Sequence, residues 1–361
     1  MARPARRVAG AALRALAAVA GLLLFVLALE LLKRGAGGVG PALRAIGVSG
    51  LAGGIGAGWL GACLLLSGSP VAAVALTLLA SGTLTTAETF GMISGSRLGA
   101  SFVVLVVGVV EDLRAGRREA RSAYIGVTAL VATAVTYLPA MALSWLALER
   151  GALPGLRLEG RDLEGIVERL YGPLLHATAA VLPRAALFVG GVLLLLAAFR
   201  AFDRALPDLG KGRGPLLPAD HVVYRPWFMF AVGLATTALT LSVSVSLSLL
   251  VPLAARGFVR RENVWPYVLG ANVTTLVDTL FAGALVGHPD SARMVALLMA
   301  SVAALSLPPV LLFPDSFGRR LDQLASLATS SARAVVVFVA LLFAIPLALV
   351  LAIPLALIAL F

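Results

Sequence analysis

Leu66-Ser67-Gly68-Ser69-Pro70 interrupts an apolar run, and 28 residues after Ser67 comes Gly95-Ser96-Arg97-Leu98-Gly99-Ala100-Ser101. The pair recurs 175 residues later. Leu241-Ser242-Val243-Ser244-Val245 is followed, again 28 residues after its first serine, by Gly270-Ala271-Asn272-Val273-Thr274-Thr275. The echo joins Gly58–Ser101 to Gly233–Leu276. Hydroxyl-bearing breaks at corresponding places in two halves of an apolar chain point to the binding site of a transporter made of internal repeats.

Composition sets the environment of that echo. The 361 residues are 60% hydrophobic and 13% charged, with a mean hydropathy of +0.99, more apolar surface than one soluble core of this length buries. The chain reads as an integral membrane protein. Continuous runs of Leu, Ala and Val near 11–32, 122–148, 184–199, 292–313 and 332–361 are mostly long enough for the ~20 residues of a spanning helix. Segments of about ten alternating residues, the mark of an outer-membrane barrel, are missing. Cys63 is the single cysteine, so no internal disulfide forms. His176, His221 and His288 are scattered without metal-ligand spacing. No His/Asp/Glu or Cys/His cluster suggests an enzyme, and no resident cofactor is expected.

The net charge of +11 invites a nucleic-acid reading, but the basic residues stand in short loops beside apolar runs, where membrane orientation explains them better. With the N-terminus in the cytoplasm, eighteen of the 29 Lys and Arg fall in the cytoplasmic segments 1–14, 111–121, 200–225, 256–262 and 315–322. Nine fall outside, and Arg97 and Arg333 lie in apolar segments. That bias predicts a multi-pass protein of the plasma membrane, in bacteria the inner membrane. Arg3, Arg6 and Arg7 before an apolar run that continues to Leu32 read as an uncleaved first helix rather than a signal peptide.

The same allocation starts copy one outside and copy two inside. The expected fold is therefore an all-α polytopic membrane protein with two inverted-topology repeats, each a re-entrant helical hairpin plus a broken transmembrane helix. Its segments are a first helix at 1–32, repeat one at 45–110, a helix at 122–148, an extracytoplasmic loop at 149–183, a helix at 184–200, repeat two at 226–287 and C-terminal helices over 292–361. A short amphipathic helix is expected near 162–170. Pro70 disfavours helix at the residue before it and Gly68 loosens the turn, which favours a hairpin there. In copy two, Val243 replaces the glycine, and Ser242, Ser244, Ser246 and Ser248 fit either helical or extended backbone. The motifs at Gly95–Gly99 and Gly270–Thr275 are expected to break a helix and leave a half-helix N-terminus whose dipole favours anions.

These motifs resemble the type II sodium/phosphate cotransporter family, whose inverted repeats each carry a Gln-Ser-Ser-Ser-Ala motif and a downstream Gly-Ala-Asn-Ile-Gly-Thr-Thr-like motif. The resemblance covers Gly58–Gly108, Gly233–Gly283 and the loop between the repeats. Gly270–Thr275 is the nearest match. Leu66 and Leu241 occupy the glutamine positions, Gly68 and Val243 the middle serines, and Arg97 the first asparagine. The resemblance implies a secondary transporter that carries phosphate or a similar oxyanion together with sodium.

On that reading Ser67, Gly68, Ser69, Ser242, Ser244 and Arg97 bind the anion, and Asn272, Thr274, Thr275 and Asp278 bind the cation. Each has a plainer alternative. Small hydroxyl residues also pack between membrane helices, and Asn272, Thr274 and Thr275 also suit capping of a half-helix. Arg97 costs at least ~2.5–3.5 kcal/mol at mid-membrane and needs a partner, either a bound oxyanion or Asp278. Asp278 either pairs with Arg97, ligates sodium or carries a proton. Glu88 is expected in solvent. Two other readings remain: a non-transporting scaffold or regulator on a diverged transporter fold, and a proton-coupled anion transporter.

Overall fold

The computed structural model describes residues 2–114, 121–153, 161–205, 225–243, 245–247, 250 and 261–358. Among them the regular elements are helices, and seven segments are long and apolar enough to cross a membrane: Ala12–Gly38, Thr86–Leu113, Ala123–Glu149, Arg184–Ala205, Arg261–Leu285, Pro289–Leu311 and Arg333–Leu351. The chain is thus an all-α protein of multi-pass membrane type. Helix α1 (Ala2–Gly35) is followed by the short α2 (Gly40–Ala45), α3 (Gly50–Leu65), α4 (Ser69–Ala80), α5 (Thr86–Ala100) and α6 (Phe102–Arg114). Then come α7 (Arg121–Glu149), α8 (Arg161–Val181), α9 (Arg184–Ala205) and α10 (Pro226–Thr240). The remainder comprises α11 (Val264–Thr274), α12 (Val277–Leu285), α13 (Pro289–Leu311), α14 (Pro314–Thr329) and α15 (Ala332–Ile358).

Glycines set how close α3 lies to α5. A Cβ added to Gly58 would stand 2.1 Å from the Met92 carbonyl oxygen, and one on Gly95 would stand 2.0 Å from that of Ile55. Gly54 faces Glu88 and Gly99 faces Trp59 in the same way. Because partner numbers rise together, the two helices run in the same direction. Helix α4 must therefore return the chain from the far end of α3 to the start of α5. The open ends of this hairpin are joined where Gly50 N donates to Glu88 Oε1 at 3.3 Å.

The second copy reproduces two of these approaches at equivalent positions, while Met229 and Thr274 stand where Gly54 and Gly99 do in the first. A Cβ on Gly233 would meet the Tyr267 oxygen at 2.0 Å, and one on Gly270 would meet that of Phe230 at 2.0 Å. Each pair is the first-copy pair advanced by 175 positions. Both first arms also end alike, with Leu66 (φ 52°) and Leu241 (φ 50°) in the left-handed region. A leucine there costs roughly 1–2 kcal/mol, so the tight reversal is held by its surroundings rather than by residue preference. After Leu241 the backbone is helical again at Val243, over 245–247 and at Leu250, so Ser242 and Ser246, the described serines of the run, lie in a turn and a helix. Residues 244, 248–249 and 251–260 of that return arm lie outside the described residues.

Helix α7 stands between the copies. Along it, Phe90 packs on Trp145, Ser101 meets Thr133, and Gly126 abuts Leu105, so α5 and α6 run against α7. Arg261 lies over the Tyr124 ring and Asn272 meets Thr133, so α11 runs with it. The equivalent helices α5 and α11 therefore point in opposite directions.

One expectation about the breaks needs correction, at Gly95–Gly99, whereas the copy-two break falls at the end of the Gly270–Thr275 motif. Helix α5 continues through Gly95–Gly99, and the interruption falls at Ser101; in copy two it falls at Thr275–Leu276. The glycines do not break the helix, because their missing side chains serve helix contact, where an unbroken backbone packs best. The amphipathic helix of the central loop also exceeds its expected 162–170 span, running to Val181 through Pro173. Its continuation rests on α1, with Leu175 buried and Tyr171 Oη donating to the Leu23 carbonyl at 3.0 Å.

Glu88 is 5% exposed, contrary to the expectation of a solvated residue. It completes a capping box at the start of α5: its Oε2 accepts from Thr85 N at 2.8 Å, and Thr85 Oγ1 accepts from Glu88 N at 3.3 Å. This carboxylate consumes helix-end amides that would otherwise be orphaned, and it ties down α3 as well. Thr85→Ala should lower stability by about 0.5–2 kcal/mol. Thermal unfolding of purified protein checks this, and an unchanged midpoint would reject the cap.

Candidate functional site

Arg97 lies four residues before the break in copy one and is 2% exposed. Its guanidinium reaches into the break of copy two. Nη1 donates to the Thr275 carbonyl at 3.2 Å and to Thr275 Oγ1 at 3.1 Å, while Nη2 donates to Thr279 Oγ1 at 3.0 Å. The interruption of the second broken helix explains the first contact, since a carbonyl at a helix end lacks its intrahelical donor. The planar fork then spans the gap to the next turn, a reach that a lysine point charge does not provide.

Asp278 sits in the first turn of α12, 8% exposed. Its Oδ1 accepts from the Thr279 amide and from Thr279 Oγ1. The positive end of this half-helix, expected to lie open to an anion, is thus occupied by the protein's own carboxylate. Arg97 and Asp278 form no direct ion pair among the described residues. The Thr279 hydroxyl stands between them and links the two charges. Two atoms of this network stay buried without a hydrogen-bond partner, Arg97 Nε and Asp278 Oδ2.

The hairpin turn of copy one completes the junction. A Cβ on Gly68 would lie 2.7 Å from the Ser96 carbonyl oxygen and 3.2 Å from Ala100 Cβ, so the turn lies directly on α5 beside Arg97. The Ser69 side chain is 7% exposed and neighbours Asp278. Gly68, Ser69, Arg97, Thr275, Asp278 and Thr279 therefore meet at one place. No family model, curated protein or solved structure matches this chain. What the junction does has to be read from its own chemistry.

The other expected site residues are placed differently. Ser67 ends the first arm, its amide donating to the Ala62 carbonyl at 3.1 Å. Ser242 caps the resumed helix, its Oγ accepting from Val245 N at 3.3 Å, and no described contact joins it to Arg97. Ser244 lies outside the described residues. Asn272 Nδ2 donates to Thr133 Oγ1 at 3.0 Å, and that hydroxyl lies 3.0 Å from Ser101 Oγ. Through α7 the motif of copy two is thus joined to the break of copy one. Thr274 Oγ1 donates to the Leu234 carbonyl at 2.9 Å, which fixes α11 to α10.

Three contributors escape a reading based on the repeat. Thr279 bridges the buried charges, Thr133 bridges the two breaks, and Tyr137 donates to the Asn272 carbonyl at 2.9 Å. All three lie outside the repeated motifs. The spacing of Thr275 and Thr279, one turn apart with Asp278 between, was the available signal for the first. A separate cavity of about 250 Å³ is bounded by Glu30, Lys33, Glu168 and Leu285 and includes none of these residues in its lining. Its charges are already spent on Lys33–Glu30 and Arg34–Glu168 pairs.

Proposed function

We propose that the protein is a secondary active transporter that carries inorganic phosphate or a similar oxyanion together with sodium across the plasma membrane. The observation that carries this reading is Arg97, a charge buried in an apolar helix, closing on the helix break of the other copy with its Nε unpartnered. A guanidinium kept at that depth only for packing would be costly and replaceable, whereas one that binds a planar or tetrahedral oxyanion has no ready substitute. Matched Gly58/Gly233 and Gly95/Gly270 contacts and the opposite directions of α5 and α11 support two inverted-topology repeats. Copy one contributes its hairpin turn and Arg97, and copy two its helix break, to one junction between the repeats, as alternating access requires.

In this reading Gly68, Ser69 and Arg97 hold the anion at the junction, with the copy-two serines closing on it as the hairpins move. Asn272 and Thr274 offer oxygens to a hard cation. Thr275 spends both its oxygens on Arg97 in this state and would reach a cation only after the guanidinium turns to substrate. The Lys/Arg bias places the N-terminus in the cytoplasm. Asp112, Ala123, Tyr124, Arg261 and Asp322 gather at one end of the fold, and Leu148, Ala152 and Arg293 meet at the other, in keeping with that allocation.

Uptake of labelled phosphate into proteoliposomes tests the proposal. An inward sodium gradient should drive accumulation, and its collapse should abolish it. Accumulation that ignores sodium and follows an imposed proton gradient would move the coupling to Asp278, whose Oδ2 is free to take a proton. If no gradient drives uptake and equilibrium phosphate binding is also absent, the transporter reading fails in favour of a membrane scaffold.

A further inference from the structure

Arg97 Nε is a donor and Asp278 Oδ2 an acceptor, and neither has a partner at full hydrogen-bonding geometry, although the Ser69 hydroxyl comes close enough to the Asp278 carboxylate to hydrogen-bond it; the two side chains are themselves 2% and 8% exposed. Leaving either unmade is costly, the more so for a charged group. They do not satisfy each other, because the guanidinium is pinned on Thr275 and Thr279, and Asp278 Oδ1 is taken by the same Thr279 hydroxyl at 3.0 Å. One species that accepts at one end and donates at the other would answer both. Accepting the transport reading above, we propose that Asp278 selects oxyanions that still carry a hydroxyl, such as hydrogen phosphate or arsenate, over fully deprotonated ones such as sulfate.

The chemistry follows from what each anion offers. An unprotonated oxygen of hydrogen phosphate accepts from Arg97 Nε, and its P–OH donates to Asp278 Oδ2. Sulfate supplies the first bond but presents only lone pairs to the carboxylate, and two anionic oxygens in contact at low dielectric repel strongly. A lipid phosphodiester fails for the same reason, having no P–OH. The Ser69 hydroxyl donates to the Asp278 carboxylate, which keeps lone pairs for a second donor, so this contact discriminates between neither anion. Sites with a buried group dedicated to a ligand hydroxyl reject analogues that lack it far more strongly than apolar pockets reject a change in size.

Competition against labelled phosphate on purified, detergent-solubilised full-length protein tests this, with arsenate, sulfate and monofluorophosphate as competitors. Monofluorophosphate matches phosphate in shape but carries fluorine where the hydroxyl would be. Arsenate should compete about as well as phosphate, and sulfate and monofluorophosphate about tenfold or more weakly. Asp278→Asn places an amide where the carboxylate was and should narrow the phosphate-to-sulfate ratio by about tenfold. Equal competition by monofluorophosphate, or an unchanged ratio in Asp278→Asn, overturns the inference. Should that variant not fold, the monofluorophosphate comparison in the unmodified protein decides alone. Equal binding of all four anions would leave the transport reading intact while removing this one; binding of none would remove both.

Discussion

Gly95→Ala and Gly270→Ala should each destabilise the protein and abolish transport, although alanine is the better helix former. The added Cβ would lie 2.0 Å from a backbone oxygen, that of Ile55 in one copy and of Phe230 in the other. A main-chain carbonyl inside a helix has no rotamer to escape into, so the helices themselves must separate. Overpacking of this kind costs about 1–3 kcal/mol, of which the helix propensity of alanine returns no more than ~1 kcal/mol. Gly190 is the control, since a Cβ there meets nothing within 4 Å, and Gly190→Ala should be neutral or mildly stabilising. Gly58 lies in the same interface as Gly95, so Gly58→Ala/Gly95→Ala should cost less than the two single changes together, because the first separation relieves the second clash. Thermal midpoints measure both effects. A Gly95→Ala protein with unaltered midpoint and uptake would show that α3 and α5 do not pack this closely. The functional loss follows from position: Arg97 is two residues beyond Gly95, and moving its helix away from α3 draws the guanidinium off Thr275 and Thr279.

Much of this architecture was legible because its causes repeat in the sequence. The 175-residue echo predicts equivalent hairpins and breaks, and the glycines that carry it turn out to make equivalent contacts. What failed was the inference from glycine to helix breakage at Gly95–Gly99. Glycine both loosens a helix and lets another approach, and in an apolar environment, where the backbone must satisfy itself, the second use wins. The left-handed Leu66 and Leu241 were not legible at all, since that conformation is usually bought with glycine or asparagine. Glu88 was misplaced because its burial depends on the Thr85 cap and on Gly50 arriving from 38 residues away. Arg97 was singled out by charge alone, but its partners could not be. A sequence shows that a buried arginine needs an acceptor; only packing shows that Thr279, and not Asp278, stands nearest.

Arg97→Met should be among the most damaging single changes, and its damage should separate into two parts. Removing the guanidinium leaves Asp278 as a buried carboxylate with no opposing charge, a loss that costs about 3–5 kcal/mol where the pair is in direct contact and less here, where the Thr279 hydroxyl stands between. Adding Asp278→Asn removes the orphaned charge, so the double variant should regain most of that stability. It should not regain phosphate uptake. No other described cation lies at the junction, and the anion would enter a neutral site with its strongest donor missing. Arg97→Lys probes the same point from the other side. It keeps the charge near Asp278 and should fold well, but a single ammonium cannot hold Thr275 and Thr279 together and still meet an anion from the Nε position. Uptake in Arg97→Lys should therefore fall at least tenfold, a loss of about 1.4 kcal/mol of transition-state binding or more. Thermal unfolding and proteoliposome uptake, measured on all three variants, read the two parts independently. If Arg97→Met/Asp278→Asn proves both stable and active, the arginine is there to neutralise Asp278 and the anion binds elsewhere. Stability without uptake would instead assign Arg97 to the substrate.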